Sequence, residues 1–208
     1  PERLTEVSGI SMKKALALGS SFRRQVGIRR LIEFLAAYRI AAEVAVRVYR
    51  VYGEQAMERV QENPYLLAKP QFGAPFSGAD LLALELGFDG DDDRRVEAGV
   101  EFELRYNLNN GHTFLPKDKL TAATAALLEL DEQTVAAGID RLCTLGYAET
   151  DTIAGLTAIY LPEYHEAETY ITARILSMAH KKAKNDKAER LLPSLEAQQG
   201  LRYAALQK

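Results

Sequence analysis

Residues 62–68 read ENPYLLA and residues 72–80 read FGAPFSGAD, and the rest of the chain is organised around this stretch. A residue that precedes proline is disfavoured in helical backbone, so Asn63, which lies before Pro64, is predicted to end a helix. The segment that follows predicts a short helix and then a tight apolar hairpin that starts another helix. The stretch thus indicates helices joined by sharp turns.

The hairpin within this stretch combines a turn with a helix start. Gly73 permits a sharp turn, and Pro75 fixes its own φ while offering no N–H group. Phe76 is expected to point inward between the two helices, and Ser77 is expected to cap the second helix. Unpaired N–H groups at a helix N-terminus can bind an anion. Gly73 and Ser77 are therefore candidate contacts to an anionic ligand.

The composition is that of an ordinary globular protein, with 208 residues of which 47% are hydrophobic. No apolar run approaches the roughly 20 residues that a membrane helix needs, and no signal peptide opens the chain. The single cysteine, Cys143, excludes an internal disulfide and fits a reducing cytoplasm. Because the chain begins at Pro1 without a methionine, we expect either a trimmed chain or a domain taken from a longer protein.

Charge is distributed unevenly along the chain. Residues 1–52 contain ten Lys or Arg and four acids, whereas residues 80–110 contain nine acids and three arginines. A basic segment followed by an acidic one suggests one surface that faces a polyanion. Two solvated faces that differ in charge would give the same pattern, so both interpretations stay open.

A further hairpin is predicted near the start of the chain. Gly9 lets the turn close, Ile10 fills the gap between the helices, and Ser11 is the expected N-cap of the next helix. Such a turn, with Lys13 and Lys14 beside it, offers main-chain amides that clamp a phosphate without reading bases. The alternative is a hairpin that only packs and binds nothing.

The same pattern recurs at Arg39 and Ile40, where a turn with a buried isoleucine leads into a helix that begins with small residues. Together with residues 72–80, this makes three hairpins and predicts a compact array of helix-hairpin-helix units. The neighbouring basic residues that would add phosphate contacts are Arg23, Arg24, Arg29 and Arg30.

The second half of the chain predicts a different arrangement. The acids of residues 91–93 are interpreted as the start of a helix, where they complement the helix dipole, rather than as metal ligands. Helices over residues 117–128 and 132–145 are followed by two strands with Ala154-Gly155 as their turn. Two helices and a wing indicate a winged helix. The second helix exposes no basic surface, so we expect packing or protein contact here rather than base reading.

Four strings carry a resemblance to a known family: NPY-x-L-A at residues 63–68, G-x-x-F-x-x-A-D at residues 73–80, GHTFLP at residues 111–116 and IYLP at residues 159–162. Together they resemble the N-terminal region of RecD-like (RecD/TraA family) ATP-dependent DNA helicases. The chain departs from the family pattern at two turns, where Arg39 and Pro75 stand in place of the usual glycines.

The resemblance implies a parent protein that couples ATP hydrolysis, with Mg²⁺, to 5′ to 3′ movement along single-stranded DNA in repair or recombination. It also implies that Gln207 matches the Q-motif glutamine, which contacts adenine. Expected partners are single-stranded or junction DNA, bound through its backbone, and the protein's own helicase motor domains; no membrane is expected. The candidate DNA contacts are Gly9, Ile10, Ser11, Lys13, Lys14, Arg23, Arg24, Arg29, Arg30, Gly73 and Ser77.

No G-x-x-x-x-G-K-[ST] loop occurs in the sequence, so this segment is not expected to hydrolyse ATP or to hold a cofactor. No catalytic or metal-binding set has persuasive spacing. We predict a mainly α-helical fold with a helix-hairpin-helix array in residues 1–95, a winged-helix-like unit with a two-stranded β wing in residues 96–162, and a connecting helix and linker in residues 163–208. The predicted function is DNA-backbone binding without sequence specificity. The alternative is a scaffold that docks the motor or a repair partner without touching DNA.

Overall fold

The computed structural model describes residues 2–179 and 186–200, and the chain is mainly helical, as predicted. The described residues form two compact units that divide after Pro162. The helices of the first unit are α1 (Met12–Ala36), α2 (Ala42–Tyr52), α3 (Ala56–Glu62), α4 (Phe76–Glu85), α5 (Asp93–Leu108), α6 (Lys117–Leu128) and α7 (Glu132–Thr144). Its strands are β1 (Phe114–Pro116), β2 (Glu149–Ile153) and β3 (Leu156–Tyr160), and short 3₁₀ helices cover Glu2–Glu6, Gly53–Gln55 and Pro64–Ala68.

Five helices end in the same way, with one residue in left-handed backbone. These residues are Arg39, Gly87, Gly111, Glu129 and Gly146, and all have positive φ. In each case the next amide donates to a carbonyl five positions earlier, as Ile40 does to Leu35 at 3.3 Å and Phe88 does to Ala83 at 3.1 Å. This is the Schellman motif, which satisfies carbonyls at the helix end. It also turns the chain away from the helix axis, so the next segment can begin close to the helix end.

The stretch that opens the hairpin region folds largely as predicted. Helix α3 ends at Glu62, and Asn63 is extended, with φ −149° and ψ 92°. The Asn63 side chain then accepts a hydrogen bond from the Tyr65 amide at 3.1 Å, which caps the short helix Pro64–Ala68. Residues 62–68 therefore end one helix and begin another.

The prediction that Ser77 caps the next helix is wrong. Helix α4 begins at Phe76, and Pro75 is its N-cap residue. Proline already supplies the fixed φ that the residue before a helix needs, so the helix begins one residue before Ser77. Phe76 itself is buried, as expected.

Glycines set the distance between helices at two crossings. A Cβ on Gly78 would lie 2.8 Å from the Tyr38 carbonyl oxygen, where α4 packs against the turn after α1. A Cβ on Gly138 would lie 2.5 Å from Cγ1 of Val96, where α7 packs against α5. Real Cβ atoms essentially never make contacts this short, so a side chain at either position would force its neighbours to shift.

The predicted two-stranded wing is present as β2 and β3, and β1 adds a third strand to give an antiparallel sheet in the order β1-β3-β2. The additional strand comes from the GHTFLP string, whose Phe114 lies opposite Tyr160 with ring centroids 5.2 Å apart. Three residues are too few for strand periodicity to show in the sequence. Ala154 and Gly155 form the β2–β3 turn with φ of 50° and 82°, as a two-residue hairpin requires. The order of α5, β1, α6, α7 and the hairpin is compatible with a winged helix.

Helix α5 runs through the predicted domain boundary between residues 95 and 96. It packs on the Pro64–Ala68 helix and α4 on one side and on α6 and α7 on the other. The first unit therefore has one continuous core around α5, and the division of residues 1–162 into two domains stays a prediction.

Helix α8 (Pro162–Ala179) belongs to the second unit apart from its first residue, and α9 (Asp186–Gln199), with Pro193 inside it, belongs to the same unit. Side chains along α8 are exposed or half-exposed, including the apolar Ile171, Ile175 and Met178. Gln207 lies outside the described residues. Across residues 2–179 and 186–200, no helix combines the length and apolar character that crossing a bilayer requires.

Candidate nucleic-acid interface

The first hairpin presents its turn and its two lysines to solvent. Gly9 has φ +87°, and Ser11 accepts a hydrogen bond from the Lys14 amide at 3.4 Å as the N-cap of α1. Lys13 and Lys14 are exposed, and the first turn of α1 contains no acidic residue. The positive end of the helix dipole and two lysines therefore occur together in the first turn of α1.

The four predicted arginines of α1 do not form one face. At about 100° per residue, Arg24 lies near the azimuth of Lys13, whereas Arg23 and Arg30 share a second face. Arg29 lies away from both faces. Arg23 is 3.4 Å from Glu54, and Arg29 is 2.8 Å from Glu33, both as exposed ion pairs. The helix thus distributes positive charge around its surface and over roughly 26 Å from Lys13 to Arg30.

The second hairpin keeps the backbone geometry of a glycine turn although its turn residue is arginine. Arg39 has φ +58°, Ile40 is buried beneath it, and Ala41 is the N-cap residue of α2. Alanine has no polar side chain with which to cap the helix. The first turn of α2 therefore has no side-chain cap, and it contains the exposed Ala42 and the exposed acid Glu43.

The third hairpin uses its own amides internally. Gly73 has φ +67°, but its amide donates to the Lys69 carbonyl at 2.9 Å, and the Ala74 amide donates to the Leu67 carbonyl at 2.9 Å. Arg47, which the sequence did not single out, donates through Nε to the Phe72 carbonyl at 2.8 Å. These bonds fix the shape of the hairpin, and the amides of Gly73 and Ala74 are already engaged.

A fourth hairpin joins α4 to α5, and sequence reasoning missed it. Gly87 has φ +87°, and the Arg94 guanidinium lies 4.1 Å from the centroid of the Phe88 ring. Asp92 caps α5 by accepting from the Arg94 amide at 2.8 Å, as predicted for the acidic run. The signal that could have found this hairpin is the pair Gly87-Phe88, which repeats the glycine-apolar pattern of Gly9-Ile10. Its acidic surroundings repel phosphate.

A buried ion pair joins the hairpin array to α6. Arg95 is 7% exposed and binds Asp80 through two parallel hydrogen bonds of 2.8 and 3.0 Å. Its third nitrogen donates to the carbonyls of Gly90 at 2.7 Å and Leu128 at 2.9 Å. Tyr65 donates its hydroxyl to Asp80 at 2.9 Å. Burial, together with this hydrogen bond, raises the pKa of Tyr65 above its ordinary value, so the hydroxyl stays a donor.

This arrangement, the Asp80–Arg95 cluster, explains two of the strings noted in the sequence. The tyrosine of NPY donates to the aspartate of A-D, and that aspartate accepts from Arg95. The strings therefore act through packing and through hydrogen bonds in the core.

A second charged group surrounds Glu101 on α5. Lys69 lies 2.5 Å and Arg105 lies 2.9 Å from its carboxylate oxygens. Burial raises the pKa of Glu101, but the hydrogen bonds from Lys69 and Arg105 lower it by more, so the pKa lies below the ordinary glutamate value. The carboxylate is therefore charged at neutral pH and ties the Pro64–Ala68 segment to α5.

The surface of α7 pairs its charges with neighbouring elements. Lys117 lies 2.5 Å from Asp140, and Arg141 pairs with Asp93. Within residues 2–179 and 186–200, no three His, Cys, Asp or Glu side chains group as metal ligands would. The basic groups available to an anionic polymer therefore lie mainly along α1 and α2.

Comparison with known proteins shows similarity to a family model and to a curated relative. Residues 24–114 match the family model described as the helix-hairpin-helix domain of the ATP-dependent RecD2 DNA helicase. This range contains the second, third and fourth hairpins and begins after the first. The chain is also 24% identical over 188 residues to the ATP-dependent RecD2 DNA helicase of Deinococcus radiodurans. That alignment covers 86% of this chain and 26% of the relative, so the chain spans about a quarter of the relative's length. The chain is therefore similar to RecD-like helicases, in agreement with the resemblance noted in the sequence, and the similarity includes the RecD2-type helix-hairpin-helix domain over residues 24–114.

Proposed function

We propose that this region is the non-motor, DNA-binding segment of its helicase and holds the sugar-phosphate backbone without reading sequence. The observation that carries the proposal is the row of left-handed hairpin turns within and next to the matched domain, with exposed cations beside the first two turns. Amides at such turns, together with nearby cations, contact phosphates and are indifferent to base identity.

The four hairpins are not equivalent in this role. The first has Lys13 and Lys14 beside exposed backbone, and the second has Arg39. The third has engaged amides and Pro75, and the fourth lies among carboxylates. The proposal therefore assigns phosphate contact to the first two hairpins and a packing role to the third and fourth. Arg24 and Arg30 extend the contact along α1.

For the parent protein we propose an ATP- and Mg²⁺-dependent helicase that moves 5′ to 3′ on single-stranded DNA in repair or recombination. In this proposal the protein is cytoplasmic, the described region docks on its own motor domains, and Gln207 contacts adenine. The relative's printed name, which includes ATP dependence and DNA helicase activity, supports the first part of the proposal.

Fluorescence anisotropy with a labelled oligonucleotide, measured over a series of salt concentrations, tests DNA binding. Lys13→Ala with Lys14→Ala should weaken binding and reduce the salt slope by about 1.4 for a single strand, at about 0.7 per phosphate contact. The control is Lys119→Ala, an exposed lysine in the first turn of α6, which should leave the affinity and the salt slope nearly unchanged. For the double variant, an affinity and salt slope equal to those of the parent chain would remove the first hairpin from the interface.

A protein-interaction scaffold is the second candidate, and the exposed apolar side chains of α1 favour it. Leu16, Leu18 and Phe22 are more than half exposed, and a cavity lined partly by Leu18 and Phe22 lies beside them. A scaffold would bind the separately expressed motor domains in a pull-down experiment and lose that binding with Phe22→Ser. Absence of any DNA shift at low salt, combined with motor binding, would favour this candidate over the first.

A further inference from the structure

Four aromatic rings form a continuous stack across the first unit, which we call the aromatic column. The ring centroids are 6.3 Å apart from Tyr65 to Phe76, 5.2 Å from Phe76 to Phe102 and 6.1 Å from Phe102 to Tyr106. The interplanar angles at these steps are 23°, 29° and 24°. Tyr65 and Phe76 are buried, whereas Tyr106 is 58% exposed. The column therefore begins in the core and ends at the surface.

The ring of Tyr106 is held in its orientation by the aromatic ring on which it stacks. Its ring lies nearly parallel to that of Phe102, one helical turn earlier on α5, and Phe102 stacks in turn on a buried ring. The inner end of the column is held by the hydrogen bond from Tyr65 to Asp80. An exposed aromatic ring with so few remaining orientations loses little entropy when a second flat ring stacks on it.

A cavity of about 260 Å³ lies beside the column, between the third hairpin and α5. Pro75, Phe76 and Phe102 are among its apolar lining, and Lys69, Arg105 and Asn109 are among its polar lining. The volume is slightly below the roughly 300–1,000 Å³ of pockets for drug-sized ligands. It suits one flat ring system with polar atoms at its edge.

The charges at this cavity favour an uncharged ligand over a phosphate. Lys69 and Arg105 both bond the Glu101 carboxylate, and Lys69 is also 4.0 Å from Glu97. Two cations are thus balanced by two carboxylates. A phosphate would have to displace these pairs, whereas a neutral aromatic ring would leave them in place.

We propose that Tyr106 and the cavity beside it bind an unpaired nucleobase of single-stranded DNA by stacking. This inference rests on the proposed function, because it supplies a base contact to a chain that holds the backbone elsewhere. Every base has a π-face, so stacking adds affinity without strong sequence preference. A duplex keeps its bases stacked internally, so the site makes the chain prefer single strands.

Anisotropy titration of the described chain with a labelled oligo-dT at low salt tests the site. Tyr106→Ala should weaken binding about 5- to 150-fold, the range expected for loss of one stacked base. Tyr106→Leu, which keeps apolar bulk without a flat ring, should weaken it similarly, and Tyr106→Phe should retain it. The matched control is Tyr147→Ala, because Tyr147 is 59% exposed. Urea midpoints of each variant report whether the fold is retained.

An abasic strand of the same length separates stacking from phosphate contact. The parent chain and Tyr106→Ala should bind it equally, because the base is missing in both cases. If Tyr106→Ala binds oligo-dT with the same affinity as the parent chain while the Lys13 and Lys14 double variant binds it more weakly, the stacking site is overturned. The hairpin proposal then stands. If only Tyr106→Ala is weakened, the hairpin proposal falls instead. If the parent chain binds no oligonucleotide, both are overturned.

Discussion

Replacing Arg95 with methionine tests whether the Asp80–Arg95 cluster holds the hairpin array to α6. The substitution keeps most of the apolar stem but removes two hydrogen bonds to Asp80 and two to the carbonyls of Gly90 and Leu128. The Asp80 carboxylate would then be largely buried with only the Tyr65 hydroxyl as a partner. Breaking a buried pair by removing one partner costs about 3–5 kcal/mol. For a domain stable by about 5–15 kcal/mol, this is a large fraction of the total.

Urea denaturation followed by far-UV circular dichroism measures this loss. Arg59→Met is the matched control, because Arg59 pairs with Glu62 at 3.1 Å with its side chain half exposed. An exposed pair of this kind contributes about 0–1 kcal/mol. The double variant Asp80→Leu with Arg95→Met should lose less free energy of unfolding than the sum of the losses of the two single variants. The reason is that the double variant leaves no unpaired carboxylate. If Arg95→Met lowers the free energy of unfolding no more than Arg59→Met does, the cluster does not stabilise the unit and the reasoning is refuted.

The remaining predictions concern a turn, a helix crossing and a carboxylate. Arg39→Gly should raise the free energy of unfolding by about 0.5–1 kcal/mol, because left-handed backbone costs a non-glycine residue about 1–2 kcal/mol, partly offset by the entropy that glycine loses; a lower urea midpoint would contradict this. Gly138→Ala should lower the free energy of unfolding by about 1–2 kcal/mol through overpacking against Val96. Val96→Ala in the same chain should relieve part of that loss. If the losses of the two substitutions simply add, Gly138 does not set the distance between α5 and α7. Glu101 has a lowered folded pKa, so its contribution is complete above the ordinary glutamate pKa of about 4.3 and is lost as pH falls through the folded pKa. Glu101→Gln should therefore flatten the acid side of the stability profile measured by urea denaturation between pH 7 and 3, and an unchanged profile would disprove the assignment.

Helix ends and helix caps could be predicted from the sequence because they depend on residues that are close together in the chain. Asn63 before Pro64 ended α3, Ser11 capped α1, and the acids before Arg94 capped α5. Each of these outcomes follows from a conformational restriction or from a side chain that reaches an amide two or three residues away. The family resemblance rested on strings of the same short range, and the match to the RecD2 domain agrees with it.

The tertiary structure alone decided which distant groups meet. No sequence spacing links Arg95 to the Leu128 carbonyl or Phe102 to Phe76, because these contacts depend on how α5 lies between the hairpins and α6. The same packing brought β1 to the sheet. Sequence determined the ends of helices through local sterics and capping, whereas the buried ion pair and the aromatic column required close packing of segments far apart in the chain.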